Sequence, residues 1–193
     1  MRKLAKVVVG VTGIVAVAAG TALAFSPYGR RVDPPSPRLE ETVDVAAPCG
    51  RVFTYLGDSS HARLWSVFIN HITPLNPEVA ADGAVGSIRR SFRNADEQGM
   101  RWDEEFMIVE PDRRRRLRIF NMVEARAPRD NSLMSEQVYR PLPDGGCRLA
   151  FTLFLQNPPS LADQVAVRLI AHQVSRVFRR NIANVKRLVE QGP

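Results

Sequence analysis

The stretch Val43-Asp44-Val45-Ala46-Ala47-Pro48-Cys49-Gly50-Arg51-Val52-Phe53-Thr54-Tyr55-Leu56-Gly57-Asp58-Ser59-Ser60-His61-Ala62-Arg63-Leu64-Trp65 decides the fold. Val43 and Val45 alternate with Thr42 and Asp44, the period of a half-buried strand. Pro48 has no amide to give a ladder, so strand pairing stops there, and its fixed φ suits the first turn of a helix. Val52, Phe53 and Leu56 fall on one apolar side of that helix, and Gly57-Asp58 closes it before a second short turn ending at Trp65.

Outward from this stretch the pattern is strands, then one helix. Strands are expected over Val67–Ile72, Val85–Arg93, Met100–Glu110, Leu117–Val123, Asn131–Leu142 and from Cys147 to Leu155, with turns at Pro111-Asp112 and Pro143-Asp144-Gly145-Gly146. Within Met100–Glu110 one face holds Met100, Trp102, Phe106 and Ile108, and Glu104 interrupts it; the other holds Arg101, Asp103 and Glu105. Residues 161–190 lack Pro and Gly and carry Val167, Ile170, Val174, Phe178, Ile182 and Val185 at helical spacing, opposite a side rich in arginine.

Strand, Ala-Pro, short helix, Asp, then Trp is an order that resembles the START-like superfamily, also called SRPBCC, of polyketide cyclases and lipid-transfer domains. Trp102 and the Glu110-Pro111 pair match the family's habit at that turn, and the resemblance covers roughly residues 38 to 191. It implies an α+β helix-grip fold: a curved antiparallel sheet of about seven strands, two short helices after the first, and a long C-terminal helix roofing a cavity. Phe53, Trp65, Phe68, Trp102, Phe106, Phe151 and Val174, with the rest of the helix stripe, are the expected lining, and Asn121 and Tyr139 are further candidates. The same fold pairs its first and last strands, which makes Cys49 and Cys147 neighbours, as a disulfide in an oxidising compartment or as two small buried thiols.

The chain before this domain, which spans residues 38–193, has a different character. Arg2, Lys3 and Lys6 precede Val7–Phe25, a run without charge that as a helix would span about 28 Å, close to a hydrocarbon core of about 30 Å. Residues 1–25 are read as a retained transmembrane anchor, with a cleaved signal peptide as the alternative because Ala22-Leu23-Ala24 fits a small-x-small cleavage site. Residues 26–37 contain four prolines and read as a stiff spacer. Arg2, Lys3 and Lys6 outnumber Arg30 and Arg31, which favours a cytoplasmic N-terminus and an extracytoplasmic domain at the cell membrane, or a secreted or periplasmic domain after cleavage.

The net charge is +7. Its densest cluster, Arg113–Arg116 with Arg118, reads either as a solvated turn or as a patch for anionic lipid headgroups. Nucleic acid is not an expected partner, because no phosphate loop, zinc spacing or interleaving of aromatics with arginines is present. The three histidines are scattered, so no metal or cofactor is expected. Glu104 between Trp102 and Phe106 is the one polar residue out of place: a bulge turns it outward, an inward arginine neutralises it, or it makes a polar contact in the cavity.

Two functions fit. One is binding or transport of a hydrophobic small molecule or lipid by a membrane-tethered domain. The other is a cyclase or dehydratase acting on a polyketide-like substrate, for which Glu104 is the candidate acid or base and His71 and Tyr139 are distant seconds. A weaker third is an accessory protein with a filled interior. Glu104→Gln is expected to leave folding nearly intact if the carboxylate faces the cavity.

Overall fold

A computed structural model describes residues 18–29, 37–124, 133–156 and 160–192. Seven strands run in chain order: β1 Arg38–Val45, β2 His71–Pro74, β3 Ile88–Phe92, β4 Arg101–Glu110, β5 Arg114–Val123, β6 Leu133–Pro141 and β7 Cys147–Leu155. They form one antiparallel sheet in the order β1-β7-β6-β5-β4-β3-β2. After β1 come α1 (Cys49–Gly57), a 3-10 turn (Ser59–His61) and α2 (Ala62–Trp65), and the chain closes with α3 (Leu161–Gln191). This is the helix-grip architecture, and its first and last strands pair from Arg38↔Phe154 to Val45↔Cys147.

Local chemistry places the boundaries. Pro48 is the N-cap residue of α1, and Asp58 caps the 3-10 turn by accepting from the Ser60 amide at 2.9 Å. Ser160 opens α3 by accepting from the Asp163 amide. The strand expected at Val67–Ile72 shrinks to His71–Pro74 because Ser66 Oγ takes the amides of Phe68 and Ile69, and Asn181 Oδ1 takes that of Val67. The strand expected from Val85 begins at Ile88.

Of the arginine cluster only Arg113 lies in the turn; the others belong to a strand. β5 begins at Arg114, and its alternation sends Arg114, Arg116 and Arg118 to the convex face and Arg115 to the concave one. On the convex face Arg114 pairs with Glu110, Arg116 with Glu136 at 2.9 Å, and Arg118 with Glu105, while Arg90 grips Asp103 through two bonds of 2.7 and 3.0 Å. Arg113 alone of the cluster stays exposed with no ion-pair partner among the described residues.

Irregularities in β4–β5 pairing also reassign faces. A register shift between Phe106 and Ile108 turns Ile108 to the convex side opposite Arg116 and brings Val109 in opposite Arg115. A second shift leaves Asn121 with φ of 49°, exposed and donating to Asp103 at 2.9 Å, so Asn121 lies off the concave face.

Two core clusters fill the space between sheet and helices. One surrounds the Cys49–Cys147 disulfide with Val45, Val52, Leu56, Trp65, Leu149, Ile182 and Val185; the bond, expected as one of two states, is present with Cα atoms 4.9 Å apart. The other gathers Leu39, Leu133, Leu153, Leu155, Val167 and Ala171 around Tyr28. Part of the expected spacer therefore docks on the domain, where Ser26 Oγ donates to the Arg168 carbonyl at 2.8 Å and Tyr28 Oη accepts from the Leu155 amide at 3.3 Å. Tyr28→Phe should cost about 1 kcal/mol, the worth of that one bond. Equal urea midpoints for the two proteins would show that packing alone holds Tyr28.

Residues 18–24 are helical, and among the described residues no helix is long and apolar enough to cross a membrane. Most of the expected span Val7–Phe25, and residues 30–36 of the spacer, lie outside the described residues.

Candidate ligand-binding site

The concave face presents a mixture that alternation alone does not reveal. Inward positions of the central strands alternate apolar groups with charged and polar ones: Arg89 on β3, Trp102, Glu104 and Phe106 on β4, Arg115 and Leu117 on β5, Gln137 and Tyr139 on β6. Burying these polar groups is tolerable only because they satisfy one another.

Glu104 is buried and faces inward. Its Oε2 accepts from Arg89 Nε at 2.8 Å, and its Oε1 accepts from Trp102 Nε1 at 2.8 Å. Arg89 in turn lies over the Phe106 ring, 4.7 Å from its centroid, and Arg89 Nη1 reaches Ser59 Oγ. Of the three readings of Glu104, neutralisation by an inward arginine describes the structure.

Arg115 forms a second centre. Its Nη1 donates to the Phe53 carbonyl at 2.8 Å and to Tyr139 Oη at 3.0 Å, and the guanidinium stacks 3.4 Å from the Phe53 ring centroid. Gly57 makes this approach possible, since a Cβ there would sit 2.6 Å from Arg115 Nη2. Burial pulls the Arg115 pKa down, with Tyr139 opposing the shift. Tyr139 Oη donates to Gln137 Oε1 at 2.7 Å, and burial pushes its phenol well above the ordinary value. Arg115 Nε, Ser91 Oγ and Trp65 Nε1 are buried donors without a hydrogen-bond partner among the described residues.

The expected lining is brought to the concave side but divided by depth. Trp65, Phe106 and Phe151 are buried; Trp65 meets Phe151 edge-on at 6.1 Å, and Phe151 meets Phe178 at 5.6 Å. Phe53 packs on Tyr139 at 5.3 Å. Phe68 lies 5.7 Å from Trp102, with Arg93 on the Phe68 ring at 4.4 Å, and both aromatics are half-buried. Val174 joins Ile119, Met122 and Phe178, half-buried against the Tyr28 cluster. Half-buried apolar groups at Phe68, Trp102, Ile119, Met122, Val174 and Phe178 thus border the filled inner part. His71 stands apart on the convex side of the β2 edge, stacked on Phe92 and 3.2 Å from Glu97. An open groove of about 320 Å³ lies elsewhere, on the outer side of α3 between Phe25, Pro27, His172, Ser175, Arg176 and Arg179.

Arg89, Arg115 and Gln137 had no signal in the sequence as site residues. Arg115 sat inside a charge run and Arg89 beside Arg90, and only strand register separates the inward member of each set from its outward neighbours.

A family model described as polyketide cyclase / dehydrase and lipid transport matches residues 36–190. No curated protein matches the sequence. Among solved structures, a Thalictrum norcoclaurine synthase point mutant in complex with a transition-state analogue is similar with a TM-score of 0.58 and 14% identity, over 80% of this chain and 94% of that one. Ginseng major latex-like protein 151 from Panax ginseng gives 0.58 and 9% identity, over 78% and 95%. The di-domain ARO/CYC StfQ from the steffimycin biosynthetic pathway gives 0.57 and 18% identity, over 79% and 44%. At these identities the likeness is one of fold.

Proposed function

Because this chain belongs to the polyketide cyclase / dehydrase and lipid transport family, we propose that it binds or carries a hydrophobic small molecule or lipid, held between the concave sheet and α3 by a domain tethered to the membrane. The reading is supported by two groups of half-buried apolar side chains, Phe68 with Trp102 and Ile119 with Met122, Val174 and Phe178, and by the Glu104–Arg89 pair beside Trp102 as a polar floor. Apolar walls with a few fixed polar groups are what such a ligand requires. The polar floor orients one end of the ligand, and the rest is held by area.

Catalysis is the second reading, and the geometry favours it less. A general acid or base needs a proton position free to exchange with substrate. Glu104 has both oxygens engaged, Tyr139 both donates and accepts within the protein, and His71 faces the other side of the sheet.

The charge asymmetry across Val7–Phe25 and the Cys49–Cys147 bond together favour an extracytoplasmic domain, since disulfides persist in oxidising compartments. Native mass spectrometry of the full chain, extracted from membranes in mild detergent, tests the binding reading. A co-purifying apolar compound is expected, and Val174→Trp, which places bulk among the half-buried groups, should reduce its occupancy severalfold. Protein that is empty in both forms, under conditions that retain detergent adducts, would refute ligand carriage.

A further inference from the structure

The outer face of α3 combines two features that the ligand site does not use. Leu161, Val165 and Leu169, four residues apart, are 77%, 37% and 43% exposed on one stripe of the helix. Between Asp163 and Glu190 the helix has no acidic residue, and Arg168, Arg176, Arg179 and Arg180 follow along the same side. Arg179 is held by Glu41 at 3.2 Å. No acidic partner is described for Arg176 or Arg180. Apolar side chains framed by arginines make an interfacial amphipathic surface.

The N-terminal segment meets the domain on this same face. His172 Nε2 hydrogen-bonds the Ala22 carbonyl at 2.9 Å, Ser26 holds the Arg168 carbonyl, and Phe25, 65% exposed, forms one lip of the groove lined by Arg176 and Arg179. Residues 18–21 are exposed, and Leu161, Val165 and Leu169 remain exposed beside the helix that ends at Ala24. Ala22, Phe25 and Ser26, at the end of the described N-terminal helix and just after it, therefore lie on this face.

We infer that the outer face of α3, with Phe25, docks on an anionic bilayer, seating Leu161, Val165 and Leu169 at the headgroup level with Arg176 and Arg180 on lipid phosphates. This rests on the reading of Val7–Phe25 as a membrane segment and adds an orientation to it. The long helix lies on the membrane, and the convex face, where each outward arginine of β5 is paired, looks away.

The test uses the full chain in vesicles of phosphatidylcholine with or without phosphatidylglycerol. With the native cysteines tied in the disulfide, Leu169→Cys carries a fluorophore, and Arg140→Cys, exposed on the convex face, carries the control. A lipid-borne nitroxide near the headgroup should quench the Leu169 label strongly in phosphatidylglycerol vesicles and leave the control unquenched. Adding Arg176→Glu and Arg180→Glu should return quenching to the control level. If the chain floats with vesicles but the Leu169 label is no more quenched than the control, docking is overturned and the anchor stands. If the chain fails to float, both fall. Shielding of the label together with the mass of a dimer would assign the face to a second copy instead.

Discussion

Opening the Cys49–Cys147 disulfide should cost this domain about 2–5 kcal/mol, toward the upper end of that range. The bond closes a loop of 98 residues, and a loop of about 100 removes roughly 4.7 kcal/mol of denatured-chain entropy in the loop-closure account. Both sulfurs lie in the core beside Val45, Val52 and Leu149, so the tie adds no exposed strain point and fastens the start of α1 to the start of β7. The measurement is a urea transition with and without reductant, run beside Cys49→Ala/Cys147→Ala, which should match the reduced protein and ignore reductant. An oxidised protein no more stable than the double variant would show that the native fold holds α1 without the bond.

The second large effect belongs to Glu104. Removing one partner of a buried ion pair leaves the other uncompensated, typically at about 3–5 kcal/mol. Glu104→Ala strands Arg89 beside Arg115 and takes the acceptor from Trp102 Nε1. Glu104→Gln restores an acceptor but no charge, so it should also destabilise, contrary to the near-neutral effect expected of a carboxylate facing a cavity alone. Replacing both members, Arg89→Met with Glu104→Leu, should recover most of the loss, because two apolar groups of similar size remove the desolvation problem. A double-variant cycle with no coupling would mean that the pair does not form in solution.

These two results separate what was legible in the sequence from what was not. The end of β1, strand β7 and the long helix followed from Pro48, the alternation through Cys147–Leu155 and the apolar stripe of α3, while the pairing of first and last strands, and with it the nearness of Cys49 and Cys147, came from the resemblance. Each of those signals has a period, and a period survives without coordinates. The partner of Glu104 does not have one. Arg89 meets it across the β3–β4 ladder, and Arg115 turns inward by one step of parity from Arg114 and Arg116. That parity depends on where β5 begins, which the run of arginines obscured. Ile108 was misassigned, and the facing of Asn121 left open, for a related reason, since each sits at a register shift that interrupts the alternation. The expected lining divides into buried Trp65, Phe106 and Phe151 and half-buried Phe68 and Trp102, and no period in the sequence carries that division.

Pairing of β1 with β7 also sets a timetable for a growing chain. The strand that leaves a ribosome first finds its neighbour only when the last strand has followed, after β2 to β6 have been made, and α3 comes later still. Contacts this distant in sequence raise contact order and slow folding. Until β7 arrives, β1 waits with both of its edges unpaired. The charged residues Glu40, Glu41 and Asp44 that β1 carries are of the kind that discourages edge-to-edge sticking during that wait.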